Sequence, residues 1–148
     1  MAVTSTPIFA QAPYIKTLSL AAQTAATTRA PTASGSTSAA NIVAFVPTST
    51  NGLRIDSIQV NACGTSMTTA NAANLVGIWA DDGTNAYLIL EIPVTAVTPS
   101  TTSAAFTTTY TFPVPLNLPS TFTLKASVSV TTTATGTALQ VTAFGGTY

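Results

Sequence analysis

The amino-acid sequence predicts an all-β fold: a single β-sandwich, jelly-roll-like, of about seven or eight antiparallel strands behind an extended N-terminal arm. Three observations predict it. From residue 41 onward, apolar and β-branched runs recur with period-two alternation. Turn-forming residues separate those runs at short intervals. Threonine is the most abundant residue, 31 of 148, and it joins β propensity to a hydroxyl that suits a solvated sheet face. These features divide the chain into an Ala/Thr/Ser-rich arm over 1–40 and a sandwich domain over 41–148.

In the arm, only Tyr14 to Leu20 reads as a strand, with Leu18 and Leu20, or alternatively Ile15, as its apolar side. Ala21 to Ala26 has helix-favouring alanines, but the threonines after it and Pro31 argue against a long helix. The small polar stretch to Ala40 cannot offset its own ordering entropy by apolar burial. It must therefore rest on its own domain or on a neighbour. Asn41–Val46 is a strand stopped by Pro47, and Asn51-Gly52 signals a turn. Leu53-Arg54-Ile55-Asp56 alternates and then changes phase at Ser57-Ile58-Gln59-Val60, which predicts a β-bulge. Leu75–Ala80, the turn Asp81-Asp82-Gly83-Thr84-Asn85 and Ala86–Ile92 make the clearest hairpin. Phe106–Phe112 follows, with Phe106, Thr108, Tyr110 and Phe112 on one face, and Pro113 and Pro115 are expected to end it. Thr121–Val130 and Ala138–Phe144 are the last two strands.

Charge excludes several partners. Lys, Arg, Asp and Glu make up 5% of the chain, against about 25% in ordinary soluble proteins. The four cations, Lys16, Arg29, Arg54 and Lys125, are scattered. No basic patch for nucleic acid or for an anionic membrane surface can be built from them. No apolar run reaches membrane-spanning length, no secretory leader pattern is present, and no Asn-x-Ser/Thr sequon occurs. The expectation is synthesis in a cytosol.

The inventory of reactive groups is equally thin. The chain has no histidine, so it lacks the commonest general base and metal ligand, and no Ser-His-Asp or Cys-His system can be assembled. Of the carboxylates Asp56, Asp81, Asp82 and Glu91, only Asp56 and Glu91 could approach each other as a glycosidase-type pair. A salt bridge to Arg54 or Lys125 explains them more simply. Asp81-Asp82-Gly83-Thr84-Asn85 has the oxygens of a calcium loop without its spacing or distal Glu, so a turn is the better explanation. Cys63 is expected to be a small buried hydrophobe, with no cation nearby to activate a thiolate. Trp79 is expected in the core or an interface, and no glycine pattern suits a phosphate. The resulting expectation is no catalytic residue, no cofactor-binding residue, no metal ligand and no cofactor.

Two segments carry a family resemblance. Asp81-Asp82-Gly83-Thr84-Asn85-Ala86-Tyr87-Leu88-Ile89-Leu90-Glu91-Ile92-Pro93-Val94, followed by the Thr/Ser-rich link 95–103, resembles a hairpin of small structural proteins of tailed bacteriophages. Leu118-Pro119-Ser120-Thr121-Phe122-Thr123-Leu124-Lys125-Ala126-Ser127 is similar to a strand entry in the same proteins. The resemblance covers about residues 75–130. It implies a β-sandwich virion component, such as a capsid decoration (cement) protein. Such a protein is made in the host cytoplasm and carried on the virion, where it bridges the major capsid protein or other virion proteins. A homo-oligomer, a trimer, is the implied state, with the arm lying on or exchanging with a neighbour. Alternatives are a tail, neck or head-fibre protein, or a receptor- or carbohydrate-binding module.

Overall fold

The computed structural model describes residues 12–148, and among them there is no α-helix. The strands are β1 (Ala12–Leu20), β2 (Thr32–Ala33), β3 (Val43–Val46), β4 (Leu53–Ala62), β5 (Asn74–Asp81), β6 (Asn85–Val94), β7 (Thr107–Leu118), β8 (Thr123–Val128) and β9 (Leu139–Thr147), with a short 3-10 turn at Thr37–Ala39. Every pairing is antiparallel. Sheet A has the order β1-β9-β4-β7 and sheet B the order β2-β6-β5-β8-β3. The two-residue β2 is an appendage to β6. Without it, the nesting of first and last strands inside one sheet, and of second and penultimate strands inside the other, is that of a jelly-roll sandwich.

Alternation decides which side chains meet between the sheets. Leu53, Ile55, Ile58 and Val60 of β4 join Val76 and Ile78 of β5, Leu124, Ala126 and Val128 of β8, and Leu139, Val141 and Ala143 of β9 in one buried cluster. Each fully buried Leu, Ile or Val contributes about 1.5–3 kcal/mol relative to exposure. In β1, Leu18 and Leu20 turn toward this core, whereas Ile15 faces out and is 64% exposed.

The phase change in β4 is a bulge: the register with both neighbours shifts between Ile55 and Ser57. Across from the bulge, Gly145 of β9 lies against the Arg54 carbonyl, where an added Cβ would come within 1.9 Å of that oxygen. Only glycine fits there.

Strand β7 corrects one expectation. Pro113 and Pro115 do not end it, and it continues to Leu118. The ladder to β4 does lapse, passing from Thr111 opposite Ser57 to Leu116 opposite Ile55. The prolines, which have no N–H to give, sit in the lapse, and among the described residues no strand pairs with the other side of β7.

The Asp81–Asn85 turn forms as expected, with Gly83 at φ 90°. The Asp82 carboxylate accepts from the Thr84 and Asn85 amides at 2.8 and 2.7 Å. Ala21 to Ala26 is not helical. Ala22 turns at φ 55° and the chain then runs without regular secondary structure through Arg29, because its backbone finds partners elsewhere. Gln23 and Thr132 exchange bonds of 2.9 Å, and the Ala26 amide donates to the Val128 carbonyl at 2.8 Å. Of the arm assigned to 1–40, residues 12–40 thus supply β1 and most of a strap, residues 21–42, that includes the two-residue β2. Residues 1–11 lie outside the described part.

Candidate functional site: the two outer faces

Each sheet turns one face to the core and one outward, and the two outward faces differ. On sheet B, β5 presents Gly77, Trp79 and Asp81 outward between the apolar positions Val76, Ile78 and Ala80. Residues 21–42 cross this face as a strap. Ile42 packs with Trp79, Ala86 and Leu88 in a second, smaller apolar cluster. Trp79 is 1% exposed, and its indole N–H donates to Ser127 Oγ at 2.8 Å. Its place depends on Gly77, where an added Cβ would lie 3.0 Å from the indole nitrogen and 2.8 Å from Ser127 Oγ. Trp79 is therefore a core residue of the strap–sheet contact.

One end of the strap is fastened at Asp81. This carboxylate is 2% exposed and forms an ion pair with Lys125. Ser34 Oγ of the strap donates to it, at 2.8 and 2.7 Å from its two oxygens, and the Gly83 amide donates at 2.6 Å. Burial pushes its pKa up, but the Lys125, Ser34 and Gly83 bonds outweigh this and hold it below the ordinary carboxylate value. Arg29 of the strap pairs with Glu91 of β6 at 2.7 Å, in a setting too exposed to add much. Between strap and sheet lies a cleft of about 340 Å³, with Thr28, Arg29, Leu75, Glu91 and Ser129 along it.

The outer face of sheet A has no covering segment among the described residues. Its register sets out three rows across the four strands. Ile15, Phe144, Ser57 and Thr111 form one; Thr17, Thr142, Gln59 and Thr109 the next; Ser19, Gln140, Asn61 and Thr107 the third. None carries a charge. Neighbours satisfy one another: Thr17 and Thr142 hydroxyls are 3.1 Å apart, and Asn61 Nδ2 donates to Gln140 Oε1 at 3.2 Å. Beyond the first row, Arg54 and Asp56 of β4 pair at 2.7 Å and neutralise each other.

This geometry disposes the candidate carboxylates. Asp56 lies in sheet A with Arg54, and Glu91 lies in sheet B with Arg29, so the fold gives each its own guanidinium and does not bring the two together. Of the two cations expected to pair with Asp56 or Glu91, Arg54 does pair with Asp56, whereas Lys125 belongs to Asp81, because β8 lies beside β5 in register Asp81 opposite Thr123. The calcium-loop oxygens of Asp81 are taken by Lys125, Ser34 and Gly83. Among the described residues, no cluster of three or more Cys, Asp or Glu side chains is placed to hold a metal.

Cys63 corrects another expectation. It is exposed, because β4 ends at Ala62 and the next residue passes beyond the core. Partial crowding still pushes its thiol pKa up, against a lowering bond with Ser19, so it is not activated. The strap was the feature hardest to find in sequence. Its contacts rest on Gln23, Arg29, Ser34 and Asn41, single polar residues without periodicity. Comparison with family models, with curated proteins and with solved structures finds no match for the chain.

Proposed function

We propose that this chain is a non-enzymatic structural subunit of a virus particle. In this reading it is a capsid decoration protein that stabilises the head by bridging capsid subunits. One observation carries the proposal: the outer face of sheet A presents three rows of uncharged side chains across four strands, in a chain with only eight charged residues. A free subunit with so little charge has weak colloidal protection. Set against neighbours, the same face loses few ionic hydration shells on burial. It can contribute apolar contact through Ile15 and Phe144 and hydrogen bonds through Thr, Gln and Asn. A small gain per copy, multiplied over a shell, resists expansion of the head. The jelly-roll frame is compatible with this role and does not imply it, since the same frame also serves lectins.

The partners in this reading are the major capsid protein or another virion protein, together with further copies of the chain, most simply as a trimer. A carbohydrate-binding module gains no support from Trp79, whose ring is buried under the strap. The test is quantitative mass spectrometry of purified particles from the organism or virus that encodes the chain. Hundreds of copies per particle are expected. A dozen or fewer would place it at a neck, tail or fibre, and its absence from particles would refute the virion role.

A further inference from the structure

Among the described residues four strand edges bound the two sheets, and three are guarded against pairing with another chain. Strand β1 carries Pro13 and the charge of Lys16. Strand β3 has four residues and runs into Pro47. The β6 edge is partly taken by β2 and further carries Glu91 and Pro93. Proline, charge and brevity are the usual devices that keep edges from associating. The fourth edge, β7, carries Pro113 and Pro115 in its second half, but its first half, Thr107 to Thr111, has the sequence Thr-Thr-Thr-Tyr-Thr with neither proline nor charge.

Its backbone polarity can be assigned. The Ala62 amide donates to the Phe106 carbonyl at 2.9 Å. In an antiparallel ladder, hydrogen-bonded and non-hydrogen-bonded pairs alternate. Thr108 opposite Val60 and Tyr110 opposite Ile58 therefore direct their N–H and C=O groups toward β4. Thr107, Thr109 and Thr111 direct theirs away. No backbone bond from those three to any other segment is found among the described residues.

We infer that β7 is an assembly edge, at which a second copy of this chain adds its own β7 antiparallel about a two-fold axis at Thr109. The geometry selects this register. The outward-directed groups of Thr109 meet those of the partner's Thr109, and Thr107 meets the partner's Thr111. About six backbone hydrogen bonds close in this register, and Thr faces Thr across the seam, a favourable cross-strand pair. Self-pairing is otherwise opposed by like charges meeting, and here none meet: the neighbouring outward positions on β4 are Ser57, Gln59 and Asn61. The contact joins sheet A of two copies into one continuous sheet and extends its uncharged outer face. It deepens the structural-subunit reading by naming one contact between copies. Being two-fold, it leaves any three-fold ring to a different face.

The experiment compares the full chain with Thr109→Pro and Thr109→Lys by sedimentation velocity over a concentration series, with amide hydrogen exchange on the same samples. Among the described residues the Thr109 N–H has no backbone partner, so proline at this edge should keep the native circular dichroism. The wild-type chain should associate in pairs as concentration rises, with slowed exchange at Thr107, Thr109 and Thr111. Both variants should stay monomeric. If Thr109→Pro misfolds, Thr109→Lys decides. Association unchanged by the substitutions, or equally fast exchange at those amides in the associated state, overturns this contact and leaves the structural-subunit reading standing. A wild-type chain that is monomeric at every concentration also overturns it. The fate of the broader reading is settled separately, by the particle copy number.

Discussion

The Asp81 carboxylate ties one end of the strap to the sandwich through Ser34. It is held below its ordinary value of 3.8 despite burial, through Lys125, Ser34 and the Gly83 amide. A carboxylate whose folded-state pKa is depressed stabilises the fold above its unfolded value. That contribution is full above 3.8 and is lost as pH falls through the lower folded-state value. Lys125→Met removes the cation and leaves a buried carboxylate with neutral partners only. We expect it to destabilise the fold by about 3 kcal/mol near neutral pH. It should also shrink the loss of stability on acidification, since Asp81 then protonates more easily and its folded-state depression is reduced. Urea midpoints measured from neutral to acid pH check both, and an acid loss as large as the wild type's would show that Lys125 is not what holds Asp81 ionised. Asp81 and Lys125 were legible in the sequence as a turn residue and a strand residue. Their pairing was not, because it depends on which strand lies beside which.

At the level of elements, the β4 bulge makes the sharpest demand on sequence. Gly145→Ala drives a methyl group into the Arg54 carbonyl, and backbone cannot move aside as a side chain can. The expected loss is about 3 kcal/mol, at the upper end of overpacking costs. Thermal unfolding measures it, and an unchanged midpoint would mean that β9 can shift off the bulge. The strap makes a second prediction. Deleting residues 2–38 would leave a folded sandwich if the segment were only an arm. It removes β1, which pairs with β9 along Ala12–Leu20, and also the Ser34 and Gln23 fastenings. The truncated chain should therefore expose Trp79 and bind an apolar dye, where the full chain does not. A truncated chain with native tryptophan emission and no dye binding would show the strap to be dispensable. Strands were legible wherever alternation was strong, as in β4, β8 and β9, and the phase change at Ser57 is enough to announce the bulge. Alternation cannot announce the strap, which has no period, nor the passage of β7 beyond Pro113, which an edge position alone permits.

For the whole molecule, the fold class follows from residue pattern: period-two runs, Thr on outward positions and well-placed turns suffice for a two-sheet sandwich. Which outward face is covered does not follow. Sheet B is crossed by the strap of residues 21–42, whereas sheet A presents uncharged rows from Ile15 and Phe144 to Ser19 and Thr107. This second face is held to work by being covered in an assembly. Hydroxyl-radical footprinting of Ile15 and Phe144, in intact particles and in the dissociated chain, tests that claim most directly. Both residues should be oxidised in the free chain and strongly protected in the particle, while Tyr87 of β6, in the other sheet and 38% exposed, serves as an internal reference. Equal oxidation of Ile15 and Phe144 in the two states would contradict the claim.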